Sequence, residues 1–238
     1  MRTFLKHNAV TLYFILVFLI SWAGVVLVVG FNKLLTEGPA DDQMGLLFIA
    51  MCAGPVISSL LFTYICEGRQ GLSDLKGHLL KWKVNGRWYA VAILTAPVLV
   101  LSILFLLLTI KSTYIPEIFS SGDKVSIIVL GFVGGLTAGI CEELGWTGFV
   151  VPRLRKRYGL IATGVIVGFL WGLWHLPLFL PGDPSGEVPS ALYLAIILFS
   201  QQPAYRVLMV WLYDRTASLF LTILMHTSLT FCALSLQF

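Results

Sequence analysis

A chain of 238 residues that is 58% hydrophobic and 12% charged, with a mean hydropathy of +0.88, has too few charges to cover a soluble domain of its size. Composition therefore excludes an ordinary soluble protein and points to an integral membrane protein. The net charge of +4 is no sign of a nucleic-acid partner and has to be read through its distribution between loops.

Taken in chain order, and requiring about 20 mostly apolar residues per span, the sequence offers seven candidate segments: 9–30, 44–65, 88–110, 125–150, 159–180, 190–213 and 216–236. The first follows Arg2 and Lys6 as a signal peptide would. Its apolar run is too long for that, and no small-x-small cleavage site stands out, so it reads as a retained anchor. Between the second and third segments lies the longest polar stretch, "EGRQGLSDLKGHLLKWKVNGRW". Its Leu72, Leu75, Leu79 and Leu80 recur at helical spacing among basic residues, which fits either a short amphipathic helix on the membrane surface or an ordinary basic loop. Nothing is left over for a soluble domain, and 1–238 reads as a single transmembrane domain.

The loops alternate in charge. Counted with the N-terminus inside, twelve of the sixteen Lys and Arg residues fall on the inner side and three on the outer; Arg206, within the sixth segment, is the remaining one. The loop 181–189 has none. This bias predicts seven spans with the N-terminus cytoplasmic and the C-terminus outside, in an all-α polytopic membrane helix bundle of the cell membrane. The four cysteines, Cys52, Cys66, Cys141 and Cys232, are far apart and form no CxxC pair, so they read as small buried hydrophobes.

Two glycine stripes stand out. Gly131, Gly135 and Gly139 recur every four residues in the fourth segment, and Gly164, Gly168 and Gly172 do the same in the fifth. Such small-xxx-small faces let helix backbones approach closely. Four residues beyond the first stripe comes Glu143, flanked by Glu142; three beyond the second comes His175. The expectation is that these two faces meet inside the bundle.

An acid near the centre of a span costs about 2.5–3.5 kcal/mol on insertion scales. Two adjacent acids in "CEELGWTGFV" therefore suggest function. Neighbouring helical residues point about 100° apart, so Glu142 and Glu143 cannot serve one atom equally. His175 precedes Pro177 and should sit at a helix end or kink. His226 and Thr230 share one helix face at i, i+4. One carboxylate and two imidazoles can activate a water as general base and stabilise an oxyanion, or can hold a catalytic zinc with a fourth position open. The residue types do not choose between these.

"EELGWTGF", "WGLWHLP" and "LMHTSLT" follow one another on the late segments. This order resembles the CPBP family of intramembrane proteases, which groups CAAX proteases and bacteriocin-processing (Abi) proteins and carries EExxxR, FxxxH and HxxxN motifs. The likeness covers about residues 125–231. It implies Glu142 as the water-activating glutamate helped by His175, with Glu143 as supporting acid. His226 would stabilise the oxyanion, or would join Glu142 and His175 around a zinc ion under a metalloprotease scheme. Three positions depart from the pattern. Thr147 stands in place of Arg, Trp171 in place of Phe, and Thr230 in place of Asn. Glu143 thus lacks the cation four residues on, and Arg206 is a candidate replacement.

The leading expectation is an endopeptidase acting on a membrane-associated peptide or protein. A non-catalytic bacteriocin-immunity or binding protein on the same scaffold is the alternative, favoured by Thr147 and Thr230. A transporter or proton relay is a third, weakened by the lack of an internal inverted repeat.

Overall fold

The structure, a computed structural model, describes residues 2–111, 114–179 and 189–236. The loop 181–188 and the end of the fifth segment at residue 180 lie outside them. Helix dominates, and no strand occurs among the described residues.

Each apolar segment folds as helix. We label the main ones α1 (Ala9–Val29), α2 (Met44–Leu79), α3 (Gly86–Leu108), α4 (Lys124–Gly145), α5 (Leu160–Trp174), α6 (Gln202–Thr216) and α7 (Leu219–Ser235). Four runs, Ala9–Val29, Met44–Leu79, Gly86–Leu108 and Lys124–Leu154, are long and apolar enough to cross a membrane; α5 and α7 are apolar but shorter. Large apolar side chains such as Leu27, Ile110, Val125 and Phe199 are exposed, as lipid contact requires. The chain is an all-α, multi-pass membrane protein.

Local departures from ideal helix shape these elements. Gly68 takes φ 68 and ψ −150 inside α2, a conformation open to glycine, so the run from 69 to 79 leaves in a new direction. That run is the expected amphipathic stretch. Leu75 is buried, Leu72 and Leu79 are half-buried, and Leu80 lies beyond the helix end and is exposed. α4 passes into a π-helical turn, Trp146–Val150, followed by a short α turn, Val151–Leu154. A second π turn, Ile197–Gln201, joins Ser190–Ile196 to α6. Sequence periodicity carried no sign of either.

The chain divides into two compact units, residues 1–76 with 144–211 and residues 77–143 with 212–238. In the first, α1 and α2 pack closely enough that a Cβ on Gly54 would strike Ser21 and the Val17 carbonyl, and Ser21 Oγ donates to the Met51 carbonyl at 2.8 Å. Tyr13 and Phe14 of α1 pack against Trp146 and Phe149 of the π turn. Trp22 Nε1 donates to the carbonyl of Trp174.

In the second unit α7 is the central element. Ser228 Oγ donates to the Ile93 carbonyl of α3 at 2.7 Å, and the glycine face of α4 lies on the α7 backbone. A Cβ at Gly135 would come within 2.8 Å of the Thr227 carbonyl oxygen, and one at Gly139 within 2.9 Å of the Ile223 oxygen. As α4 rises from Gly131 to Gly139, its contacts on α7 fall from Ser235 to Ile223, so the pair is antiparallel.

The α5 stripe has a different partner. Gly164 sits on Val207, Gly168 on the backbone of Gln202 and Pro203, and Gly172 on Leu198 and Gln202. Each stripe thus seats a later helix of its own unit. In an apolar bilayer helix association depends on close packing rather than water exclusion, so both stripes are used to bring backbones together.

Candidate functional site

α4 owes its start to Asp123, whose carboxylate accepts from the Ser126 amide at 3.1 Å and caps the helix. The glycine face then holds α4 against α7 for about two turns, and one further turn brings Glu143 to the same interface. α7 is started by Ser218, whose Oγ accepts from Leu221 N. His226 lies two turns further on, buried among the interface residues.

Glu142, Glu143 and His226 are all at most 4% exposed. His226 Nδ1 lies 2.8 Å from Glu143 Oε1, and Nε2 lies 3.7 Å from Glu142 Oε1. The two adjacent acids thus serve the two nitrogens of one ring, which is how residues about 100° apart on a helix can share a partner. An ionised Glu143 accepts from Nδ1–H, and Nε2 is turned towards Glu142. At 3.7 Å the second pair is too long for a direct hydrogen bond.

Four residues before Thr147, Glu143 makes a short contact to the His226 imidazole of another helix. Thr147, where the pattern has Arg, is fully buried in the π turn. Arg206 is also fully buried, and its guanidinium lies over the Trp171 ring at 4.2 Å in the first unit.

His175 belongs to the first unit. It caps the end of α5 with φ −75 and ψ −5, as expected for a residue two before Pro177. Its Nδ1 donates to the Trp171 carbonyl at 2.9 Å, and its ring meets Trp174 and Trp171 edge-on. The carbonyl can only accept, so in the neutral ring Nε2 is the basic nitrogen. Thr230 stands one turn beyond His226 on α7 and is half-buried.

Among the described residues no three His, Cys, Asp or Glu side chains gather as a metal-holding group. Within the second unit Glu142 Oε1 and His226 Nε2 face one another across 3.7 Å.

One contributor was missed in the sequence. Arg153 Nη1 donates to the Phe149 carbonyl at 2.8 Å, Nη2 pairs with Glu67 Oε1 at 2.6 Å, and the guanidinium lies 3.7 Å from the centre of the Phe149 ring. It clamps the π turn that follows Glu143 along the chain, where displaced backbone carbonyls need donors. The i, i+4 spacing of Phe149 and Arg153 was the available signal.

The fold and this site together define a class: a multi-pass helical membrane protein with a buried carboxylate–imidazole–carboxylate row at a helix–helix interface. Residues 124–232 match the family model of the Rce1-like type II CAAX prenyl endopeptidases. The chain is also 27% identical over 146 residues to a protein named CAAX prenyl protease 2 from Methanococcus maripaludis, covering 58% of this chain and 53% of that one. It thus spans about half the length of that relative. Residues 124–232 are thus similar to CAAX proteases, over the part of the chain that carries the three motifs.

Proposed function

We propose that the protein is an intramembrane endopeptidase that hydrolyses a membrane-associated peptide or protein by attack of water. The observation that carries this reading is the His226 ring held by Glu143 at Nδ1 with Nε2 turned towards Glu142. The family match and the relative's name support it.

In this scheme Glu142 takes a proton from the attacking water, and a gap of 3.7 Å is one that a single water can bridge by bonding to both groups. The Glu143 carboxylate orients His226 and stabilises its imidazolium form, in which both ring nitrogens carry protons, so that Nε2–H can donate to the oxyanion that develops on the scissile carbonyl; the proton that Glu142 took from water then passes to the leaving amine as the peptide C–N bond breaks. His175, with its tautomer set by the Trp171 carbonyl, assists proton transfer through Nε2. Thr230 supplies a hydroxyl in place of the pattern's Asn. The N-terminus is placed on the cytoplasmic side by the basic loops.

The test is cleavage of a membrane-anchored fluorogenic peptide by the purified, reconstituted chain. Glu142→Ala is expected to abolish cleavage while leaving the thermal unfolding profile unchanged; retained cleavage would exclude Glu142 as the base. Chelator treatment with metal analysis separates glutamate-activated water from zinc: unchanged activity in metal-free protein supports the former. A cellular immunity phenotype that survives Glu142→Ala and His175→Ala would favour the binding-protein alternative suggested by Thr147 and Thr230.

A further inference from the structure

Residues 75–116 contain no Asp or Glu, yet Lys76, Lys81, Lys83 and Arg87 crowd into its first thirteen positions. Between the end of α2 and the start of α3 these cations are interleaved with aromatic rings. Trp82 is 58% exposed, and the Lys83 ammonium lies 5.3 Å from its ring centre. Arg87 stacks over Trp88 at 4.9 Å, and Tyr89 Oη donates to the Trp82 carbonyl at 2.6 Å. Asn85 caps α3 by accepting from Arg87 N, which fixes the first turn carrying Arg87, Trp88 and Tyr89. An exposed indole and a half-buried one beside cations at the end of an apolar helix are the combination that seats at a bilayer's headgroup level. A cluster of cations with no acid among them favours anionic headgroups over zwitterionic ones.

The same stretch is tied to the helix that carries His226. His78 Nδ1 donates to the Ala217 carbonyl at 2.8 Å, and Ser218 Oγ donates to the Lys81 carbonyl at 2.6 Å. Ala217 is held at φ 48, a strained value for a residue with a side chain, and Ser218 is the N-cap of α7. Tyr89 and Phe220 also meet edge-on. The turn that launches α7 is therefore pinned on the basic–aromatic segment.

We infer that residues 78–89 form a docking surface for anionic lipid headgroups, and that its occupancy steadies the turn Thr216–Ser218 that sets α7. Binding is read without cleavage, so the inference stands or falls separately from the proteolytic reading.

The test uses the purified full chain in neutral detergent, with phosphatidylglycerol, phosphatidylcholine or inorganic phosphate added. Phosphatidylglycerol is expected to raise the unfolding midpoint by several degrees more than either of the others. Lys81→Gln/Lys83→Gln/Arg87→Gln should lose that gain, while Lys156→Gln/Arg157→Gln, on another basic loop, should keep it. An equal gain from phosphatidylcholine or phosphate, a gain retained by the triple variant, or an equal loss in the control pair would each overturn the surface. Hydrogen exchange across 216–222 should slow with phosphatidylglycerol in the wild type and not in the triple variant. Binding without that slowing would overturn the link to α7.

Discussion

α4 and α5 carry the same device, three glycines at every fourth position, and lead to the ionisable residues singled out in the sequence. Their ends are held differently. α4 lies along the α7 backbone, and its terminal acids meet the imidazole of that helix. α5 lies along Pro203 and Val207 of α6 and the residues just before it, and its terminal His175 is held locally by the Trp171 carbonyl and the Trp174 ring. A small-residue stripe fixes how close a helix can come to a neighbour. It does not fix which neighbour.

Chemistry at the two ends offers the largest expected effects. Glu142→Gln should lower the cleavage rate by about 10²–10⁴-fold, the range for a general base, with the fold intact. Glu143→Gln should cost less, about 10²-fold, because the amide still accepts the Nδ1 proton but no longer offers charge to the ring. A kcat loss with unchanged KM would support that; a change in KM alone would make Glu143 a binding group.

Next come the stripes. Glycine to alanine inside a helix ordinarily gains about 1 kcal/mol from propensity. At Gly135 the new Cβ would come within 2.8 Å of the Thr227 carbonyl oxygen, and at Gly168 it would meet the backbone of Pro203. Backbone atoms cannot swing away, so overpacking of about 1–3 kcal/mol should outweigh the gain. Both variants should unfold earlier in a detergent melt. Gly135→Ala should also weaken cleavage, since it parts the helices that join Glu143 to His226. A neutral Gly135→Ala would dissolve the contrast drawn here.

The smallest effect concerns the start of α4. Hydrogen bonds from the Ser126 side chain, then from its backbone, hold the Asp123 carboxyl below its ordinary value. A carboxyl lowered in the folded state stabilises above its unfolded pKa of about 4, and that contribution is lost as pH falls through the lower folded value. Asp123→Asn should therefore be slightly less stable than wild type at neutral pH. The two should converge in acid below pH of about 4. A gap that persists there would assign the cap to geometry alone.

Much of the α4 site was legible in the sequence. Extending the glycine stripe by one turn reached Glu143, and the cost of two acids in an apolar helix marked both as functional. The stop at His175 followed from Pro177. What could not be read was the partnering. The face of a helix is set by periodicity, but its neighbour is set by the packing of helices remote in sequence, so nothing in the sequence marked α7 as the seat of Gly131–Gly139 or α6 as that of Gly164–Gly168. The π turns at Trp146–Val150 and Ile197–Gln201 were not legible, because apolar periodicity does not separate one widened turn from the helix around it. The kink at Gly68 was hidden by a glycine that could equally have stayed helical.

The central claim is that two adjacent acids divide one imidazole, Glu143 at Nδ1 and Glu142 across a gap at Nε2. Nitrogen NMR of the histidine-labelled, reconstituted protein tests it most directly, with the His226 signals assigned by His226→Gln. The account predicts a protonated Nδ1 in a strong hydrogen bond, whose resonance shifts in Glu143→Gln and far less in Glu142→Gln. An unprotonated Nδ1, or a resonance that responds to Glu142 and not to Glu143, would contradict it.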